Sequence, residues 1–256
     1  MTAIPPFLFP LTFVLALVVE RMFAARELPR VRFWLVKCLV FFALAGALNA
    51  VLSAALARVV AGHGLLPLRG LPALAGVALA LVATDLAIYV VHRAMHAVTP
   101  LWRAHQLHHS AERIDAAASA YVHPLQLALV MTAMSVAGGL LGVAPAATAI
   151  AGYVLFALNV FQHMNIATPR WLGYIVHRPE AHVLHHARGV HAFNYGTFVL
   201  WDAVFGTRRD PRELPATTGF WDGASRRLGA LLVGRDVTSM HVEAAPGHAV
   251  MHAGHP

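Results

Sequence analysis

The sequence predicts an all-α integral membrane protein, a bundle of about four to five transmembrane helices with a cytosolic, histidine-rich helical cap. Three observations predict it. Of the 256 residues 58% are hydrophobic and only 12% are charged, about half the charged share of roughly 25% in a soluble domain. The apolar residues fall in long uninterrupted runs, and from Ala116 to Pro169 there is no charged residue at all. Eight of the 17 histidines gather in spaced motifs beside those runs. The net charge of +7 comes almost wholly from arginine in short loops, a pattern of membrane orientation rather than nucleic-acid contact, and no nucleic-acid motif is visible. The single Cys38 lies in an apolar run, reads as a small buried apolar residue, and excludes an internal disulfide, an iron–sulfur ligand set and a CxxCH haem attachment.

Along the chain, the first apolar run is Ile4 to Val19, followed at once by Glu20, Arg21, Arg26, Glu27, Arg30, Arg32 and Lys37. No Lys or Arg precedes Arg21, so the run reads as a retained span rather than a cleaved signal. Phe33 to Ala57 and Leu71 to Val91 form the second and third runs, joined by the short Gly-rich stretch Arg58 to Gly70. Leu125 to Leu141 and Pro145 to Phe161 read as a fourth and fifth span or as a re-entrant hairpin, with Gly138, Gly139, Gly142 and Pro145 at the turn. Beyond Arg170 the chain is polar and aromatic by turns, with a low-complexity tail from about Ser239. Three portions follow: 1–70, N-terminal membrane helices and loop; 71–207, the histidine-bearing unit; 208–256, a polar tail. The first loop carries five Lys or Arg, against Arg58 and Arg69 in the second and none in the last turn. The positive-inside bias then sets the N-terminus outside and every histidine motif on the cytoplasmic side.

Those motifs are His92-Arg-Ala-Met-His96, His105-Gln-Leu-His108-His109 and His182-Val-Leu-His185-His186. Residues three and four apart share a helix face, so each box can aim its rings at a common point. A random HxxHH is expected about 0.07 times in a chain this rich in histidine, and it occurs twice. Thr99-Pro100 supplies a hydroxyl N-cap and an N1 proline for the second box; Pro179 and Glu180 open the third and Gly189 closes it. Imidazole suits Zn, Cu, Fe and Ni, and eight rings exceed the four ligands of one tetrahedral ion, so two metal ions fit better.

Around the boxes, His163 ends the fifth span at the depth of His92 and reads as a further ligand. His123, before Pro124, reads equally as ligand, supporting donor or helix-starting residue, and His177 as a hydrogen-bond partner of the site. Asp85, ionisable inside a span, reads as the acceptor for a ligand N–H. His191 stays open; His241, His248, His252 and His255 lie in the tail and read as having no role in the site. Two other classes fit less well. A membrane zinc hydrolase needs a carboxylate base inside its box, and none of the three has one. A metal transporter needs ligands near the midplane of its spans, not at their ends.

Taken in order, Asp85, Tyr89, the three boxes, His123-Pro124, His163, Asn194-Tyr195-Gly196 and Trp201-Asp202-Ala-Val-Phe205-Gly206-Thr207 resemble the fatty acid hydroxylase and sterol desaturase superfamily of membrane di-iron enzymes, over about Leu71 to Thr207. The resemblance implies two irons held by His92, His96, His105, His108, His109, His163, His182, His185 and His186, with His123, His177, Asp85 and Asn194 as supporting groups or further ligands. It also implies O2 as co-substrate, attack on a C–H bond of a lipid, hydroxylation ahead of desaturation, and spans two to five as the apolar pocket. No cytochrome b5, flavin or iron–sulfur segment is recognisable, so electrons are expected from a separate donor, a cytochrome b5 or ferredoxin with its reductase. Arg103, Arg113, Arg170, Arg178 and Arg188 near the boxes are the expected docking surface for an acidic carrier.

Overall fold

In the computed structural model, residues 4–60 and 62–239 are described. Their regular structure is helical, joined by irregular segments, with three isolated β-bridges and no strand among the described residues. The helices are α1 (Leu8–Met22), α2 (Trp34–Val60), α3 (Ala73–Ala97), α4 (Thr99–His109), α5 (Pro124–Leu141), α6 (Pro145–His163), α7 (Pro179–His185), α8 (Val199–Val204) and α9 (Leu228–Leu232).

Four of these, α2, α3, α5 and α6, are long and apolar enough to cross a membrane. The first apolar run, expected as a span, forms α1 of only 15 residues, about 22 Å of rise against a hydrocarbon core of about 30 Å. Pro5 and Pro6 precede it and its helix ends at Met22. It lies along α6, where Phe9 meets Tyr153 and Phe156 and the Thr12 hydroxyl bonds the Tyr153 hydroxyl at 2.7 Å. At the other end of α1 the Glu20 carboxylate accepts the N–H of Ala116 (2.6 Å) and of Asn165 (2.9 Å), tying three segments together.

α3 packs against both α5 and α6, and α2 against α5. At one end of the bundle the α5–α6 turn meets the α2–α3 connection. Gly142 there has φ +73°, and a Cβ on it would stand 2.1 Å from the Leu66 carbonyl oxygen, so only glycine closes this turn. At the opposite end α3 and α6 finish, α5 begins, and α4 and α7 lie across them. One residue, Val98, separates α3 from α4: its N–H bonds the Ala94 carbonyl and its own carbonyl accepts Leu101 and Trp102 N–H. Val98 is therefore the N-cap and Thr99 is already helical, which displaces the hydroxyl cap read at Thr99. α7 likewise stops at His185, short of Gly189, because the chain leaves to form the Ala187–Thr218 bridge.

Residues 217–237, expected within a polar tail, fold back over α4. Glu112 accepts from Ser225 Oγ (2.6 Å) and from the Gly223 and Ser225 amides, and the Val237 N–H bonds Gln106 Oε1 at 2.9 Å. The main core lies beneath this layer and contains Phe13, Trp34, Cys38, Phe41, Leu107, Ile114 and Tyr121, with the Trp34, Phe41 and Tyr121 rings in contact.

Candidate metal centre

Nine histidines meet at the box end of the bundle, in two groups. One holds His92, His96, His105, His109 and His185; the other holds His108, His163, His182 and His186; within each, one ring nitrogen per residue lies within 4.8 Å of all the others. Helix periodicity produces the division. At about 100° per residue, positions i and i+4 differ by about 40° in azimuth, whereas i+3 points about 100° away from i+4. His105 and His109 of α4 therefore enter the first group while His108 turns to the second, and His182 and His186 enter the second while His185 turns to the first. Each HxxHH box thus serves two points rather than the one expected. His92 and His96, four apart on the last turns of α3, join the first group, and His163 at the end of α6 joins the second.

Hydrogen bonding fixes the tautomers. Nδ1 lies beside an oxygen in His92 (Tyr195 carbonyl, 2.8 Å), His105 (Gln126 Oε1, 2.8 Å), His108 (Tyr121 carbonyl, 3.2 Å), His163 (Asn159 carbonyl, 2.7 Å) and His185 (Phe193 carbonyl, 2.7 Å). A carbonyl oxygen only accepts, so in the neutral ring Nδ1 carries the proton and Nε2 is a bare lone pair. Yet His92 and His105 face each other through Nε2 at 3.1 Å, and His108 and His163 at 3.2 Å. His105 Nε2 is also 3.1 Å from that of His96 and 2.9 Å from that of His109; His182 Nε2 is 3.2 Å from that of His163 and 3.3 Å from that of His186. In the His92–His105 and His108–His163 contacts all four Nδ1 atoms are bonded to oxygens, so two buried lone pairs point at one another with no hydrogen between them. The spacing is that of ligands sharing one ion, since two nitrogens about 2.1 Å from a metal stand roughly 3.0 Å apart at a right angle and about 3.4 Å at the tetrahedral angle. His185 Nε2 is buried without any hydrogen-bond partner, as a ligand atom turned to such a point would be.

Electrostatics favour the same state. Burial first, then neighbouring imidazoles, hold His105, His108, His109, His182, His185 and His186 well below the ordinary histidine pKa, so these rings are neutral and their lone pairs free. His191, whose Nδ1 is 3.0 Å from His109 Nδ1, is pushed down by burial to about 4.

The other expected site residues lie around the groups. His177 Nε2 bonds Asp202 Oδ2 at 3.0 Å, and Asp202 accepts the N–H of Tyr195 (2.9 Å) and of Gly196 (2.7 Å), so this pair holds the backbone whose carbonyl orients His92. Asp85 does not touch a histidine as expected; it accepts the Thr197 N–H at 2.7 Å and the Phe198 N–H. Asn194 bonds the Ala181 and Arg209 carbonyls, each at 2.8 Å, and accepts the Arg209 N–H at 2.7 Å. It braces a loop in which His191, Phe193 and Asn194 all have positive φ, a costly conformation for a phenylalanine, and the Phe193 carbonyl is the acceptor for His185. His123 stands outside both groups: its Nδ1 accepts the Leu125 N–H as the cap of α5 and its Nε2 meets the Leu232 carbonyl. The tail histidines lie outside the described residues.

Of the five arginines expected to dock an acidic carrier, Arg170 is exposed and Arg103, Arg113 and Arg188 are about a third exposed, whereas Arg178 is buried. Arg178 is 1% exposed and paired with Glu180 and Asp210, while Arg103, Arg113 and Arg188 each pair with an aspartate. Gln126 was missed in the sequence, where an amide in the first turn of an otherwise apolar span was the available signal.

The fatty acid hydroxylase family profile matches residues 77–207, which contain all nine grouped histidines. The chain belongs to that family. It is 29% identical over 146 residues to the ornithine lipid hydroxylase OlsE of Rhizobium tropici, a match covering 56% of this chain and 44% of that protein. It is also 29% identical over 143 residues to the alkylglycerol monooxygenase of Danio rerio, covering 50% of this chain and 29% of that one. The chain therefore spans less than half the length of these curated relatives. No solved structure matches it.

Proposed function

We propose that this protein is a membrane di-iron oxygenase that hydroxylates a C–H bond of a lipid. The observation that carries the reading is the pair of convergent imidazole sets, in each of which two bare Nε2 atoms face one another, His92 with His105 at 3.1 Å and His108 with His163 at 3.2 Å. One iron would be held by His92, His96, His105, His109 and His185, the other by His108, His163, His182 and His186. These donors suit iron among the borderline metals, and membership of a hydroxylase family favours it. Bound there, the two irons supply reductive activation of O2 for C–H attack. The balance is R–H + O2 + two electrons + two protons giving R–OH + H2O, so a separate reductant such as a cytochrome b5 or ferredoxin with its reductase is part of the reaction.

The chain's own residues hold and dry the site. Tyr195, Gln126, Tyr121, Asn159 and Phe193 fix ring orientation through Nδ1–H bonds. The buried rings exclude water, and the four membrane-capable helices bring the site to the end of an apolar bundle where a lipid can reach it. Relatives named as a hydroxylase and a monooxygenase favour hydroxylation over desaturation. The unit 71–207 would carry the chemistry, with 1–70 and 208–239 as its supports. The arginine-rich 23–33 loop on the histidine side supports a cytoplasmic position for the boxes by the positive-inside rule.

The test is reconstitution of iron-loaded protein with lipid extract. Turnover should require O2 and an added donor system and should give a product heavier by one oxygen, labelled from 18O2. Sustained turnover without any donor, or oxygen incorporated from water, would refute the proposal.

A further inference from the structure

Residues 195–207 sit beside the middle of α3. The Thr197 and Phe198 amides bond the Asp85 carboxylate, the Trp201 indole N–H bonds the Val82 carbonyl at 3.2 Å, and Phe205 stacks on Tyr89 with centroids 5.1 Å apart. Depth follows from the helix. Asp85 is twelve residues from either end of the 25-residue α3 (85 − 73 and 97 − 85), about 18 Å from each. Even with the histidine-side boundary of the hydrocarbon at His92, seven residues beyond Asp85 on α3, Asp85 lies about 10 Å inside it. Helical side chains lean toward the N-terminus, which here carries the carboxylate deeper still.

We propose that residues 195–205 form a re-entrant element embedded in the leaflet on the histidine side, with its outer face in contact with acyl chains. Leu200, Val204 and Phe205 on this element are 44%, 62% and 49% exposed, and Trp171 and Tyr174 beside it are 61% and 74% exposed. This apolar face is continuous with the lipid-facing residues of α3, Leu79, Val82 and Val90. Non-helical backbone at membrane depth must have its polar groups satisfied by protein, and here each amide from 195 to 199 is paired. Tyr195 and Gly196 bond Asp202, Thr197 and Phe198 bond Asp85, and Val199 bonds the Ile175 carbonyl at 3.1 Å. The Thr197 carbonyl accepts from His177 N–H and Gln162 Nε2, each at 3.0 Å. Asp85 is thus placed in a span to receive two re-entrant amides, which explains a carboxylate that touches no histidine. Gly196 lets the strand of chain approach: a Cβ there would lie 2.9 Å from the Phe198 carbonyl oxygen and 3.5 Å from Asp85 Oδ2.

The experiment uses full-length protein in phosphatidylcholine vesicles, with nitroxide labels at Leu200→Cys and Val204→Cys; the native Cys38 is fully buried. Val51→Cys on α2 is the acyl reference, and Asp222→Cys, whose side chain is 91% exposed, is the aqueous reference. Power saturation should show Leu200 and Val204 relaxed more by oxygen than by chromium oxalate, as at Val51, and the ratio inverted at Asp222. In unlabelled protein, Trp201→Phe should remove a component of the emission that lipids brominated in mid-chain quench and aqueous iodide does not. Chromium oxalate dominating at both labels, or a Trp201 component quenched by iodide and not by brominated lipid, would overturn the proposal. Neither readout depends on metal or turnover.

Discussion

His182 is the most informative single position in the metal centre. It is buried, its Nδ1 has no partner, and its Nε2 faces those of His163 and His186. His182→Ala therefore removes no carbonyl hydrogen bond, unlike substitution of His108 or His163. In metal-free protein the cost is that of a small cavity, about 1 to 3 kcal/mol. In metal-loaded protein a ligand is lost as well. If a four-ligand site is worth roughly 10–16 kcal/mol, one ligand is worth about 3 kcal/mol, or roughly hundredfold in affinity. Thermal unfolding of detergent-solubilised wild type and variant, each stripped and iron-loaded, should show a distinctly larger loss in the loaded pair. Iron content should fall from about two to about one per chain. Equal losses with and without iron, together with unchanged iron content, would show that the four rings are a structural cluster and refute the metal reading.

Other outcomes are expected. Reporters inserted in the 23–33 loop and after Thr238 should both report the cytoplasmic side and one in the 62–72 loop the opposite side, because four helices separate them; opposite locations for the first two would mean that a helix does not cross. Gly196→Ala should cost about 1 to 3 kcal/mol through its contact with the Phe198 carbonyl and, by moving the Tyr195 carbonyl off His92, should deplete the five-histidine site before the four-histidine one. Spectroscopy that resolves the two irons checks the order. The metal-free protein should be most stable above pH about 6.5 and lose stability as pH falls. The unfolded histidines gain protons there while the buried rings do not, so the unfolded state binds more protons and stability drops, for His191 across the interval from about 6.5 down to about 4. A flat denaturation midpoint between pH 7 and 5 would contradict the buried, neutral state of these rings.

What the chain determined by itself was local. Long apolar runs, free of charge in α5 and α6 and nearly so in α2 and α3, mark the four helices, because a span must be about 20 residues of hydrocarbon-compatible side chains whatever surrounds it. Histidines at i, i+3 and i+4 mark ring-bearing helix faces, because helical spacing is a property of a few consecutive residues. α1 was overread, since hydropathy carries no information on where Met22 ends a helix or how far along α6 it lies. Helix spacing already turns His108 away from His105 and His109, and His185 away from His182 and His186; only the tertiary structure decided which faces meet, because the crossing of α4 and α7 over the ends of α3 and α6 brings His185 to His92, His96, His105 and His109, and His108 to His163, His182 and His186. It also decided that Asp85 serves the Thr197 and Phe198 amides and His123 serves α5, while backbone carbonyls orient the rings. A carbonyl is present at every residue, so sequence holds no mark of the one that will face an imidazole; the partner ranges from Asn159, four residues before His163 on the same helix, to Tyr195, 103 positions from His92, which meets it only when the bundle closes.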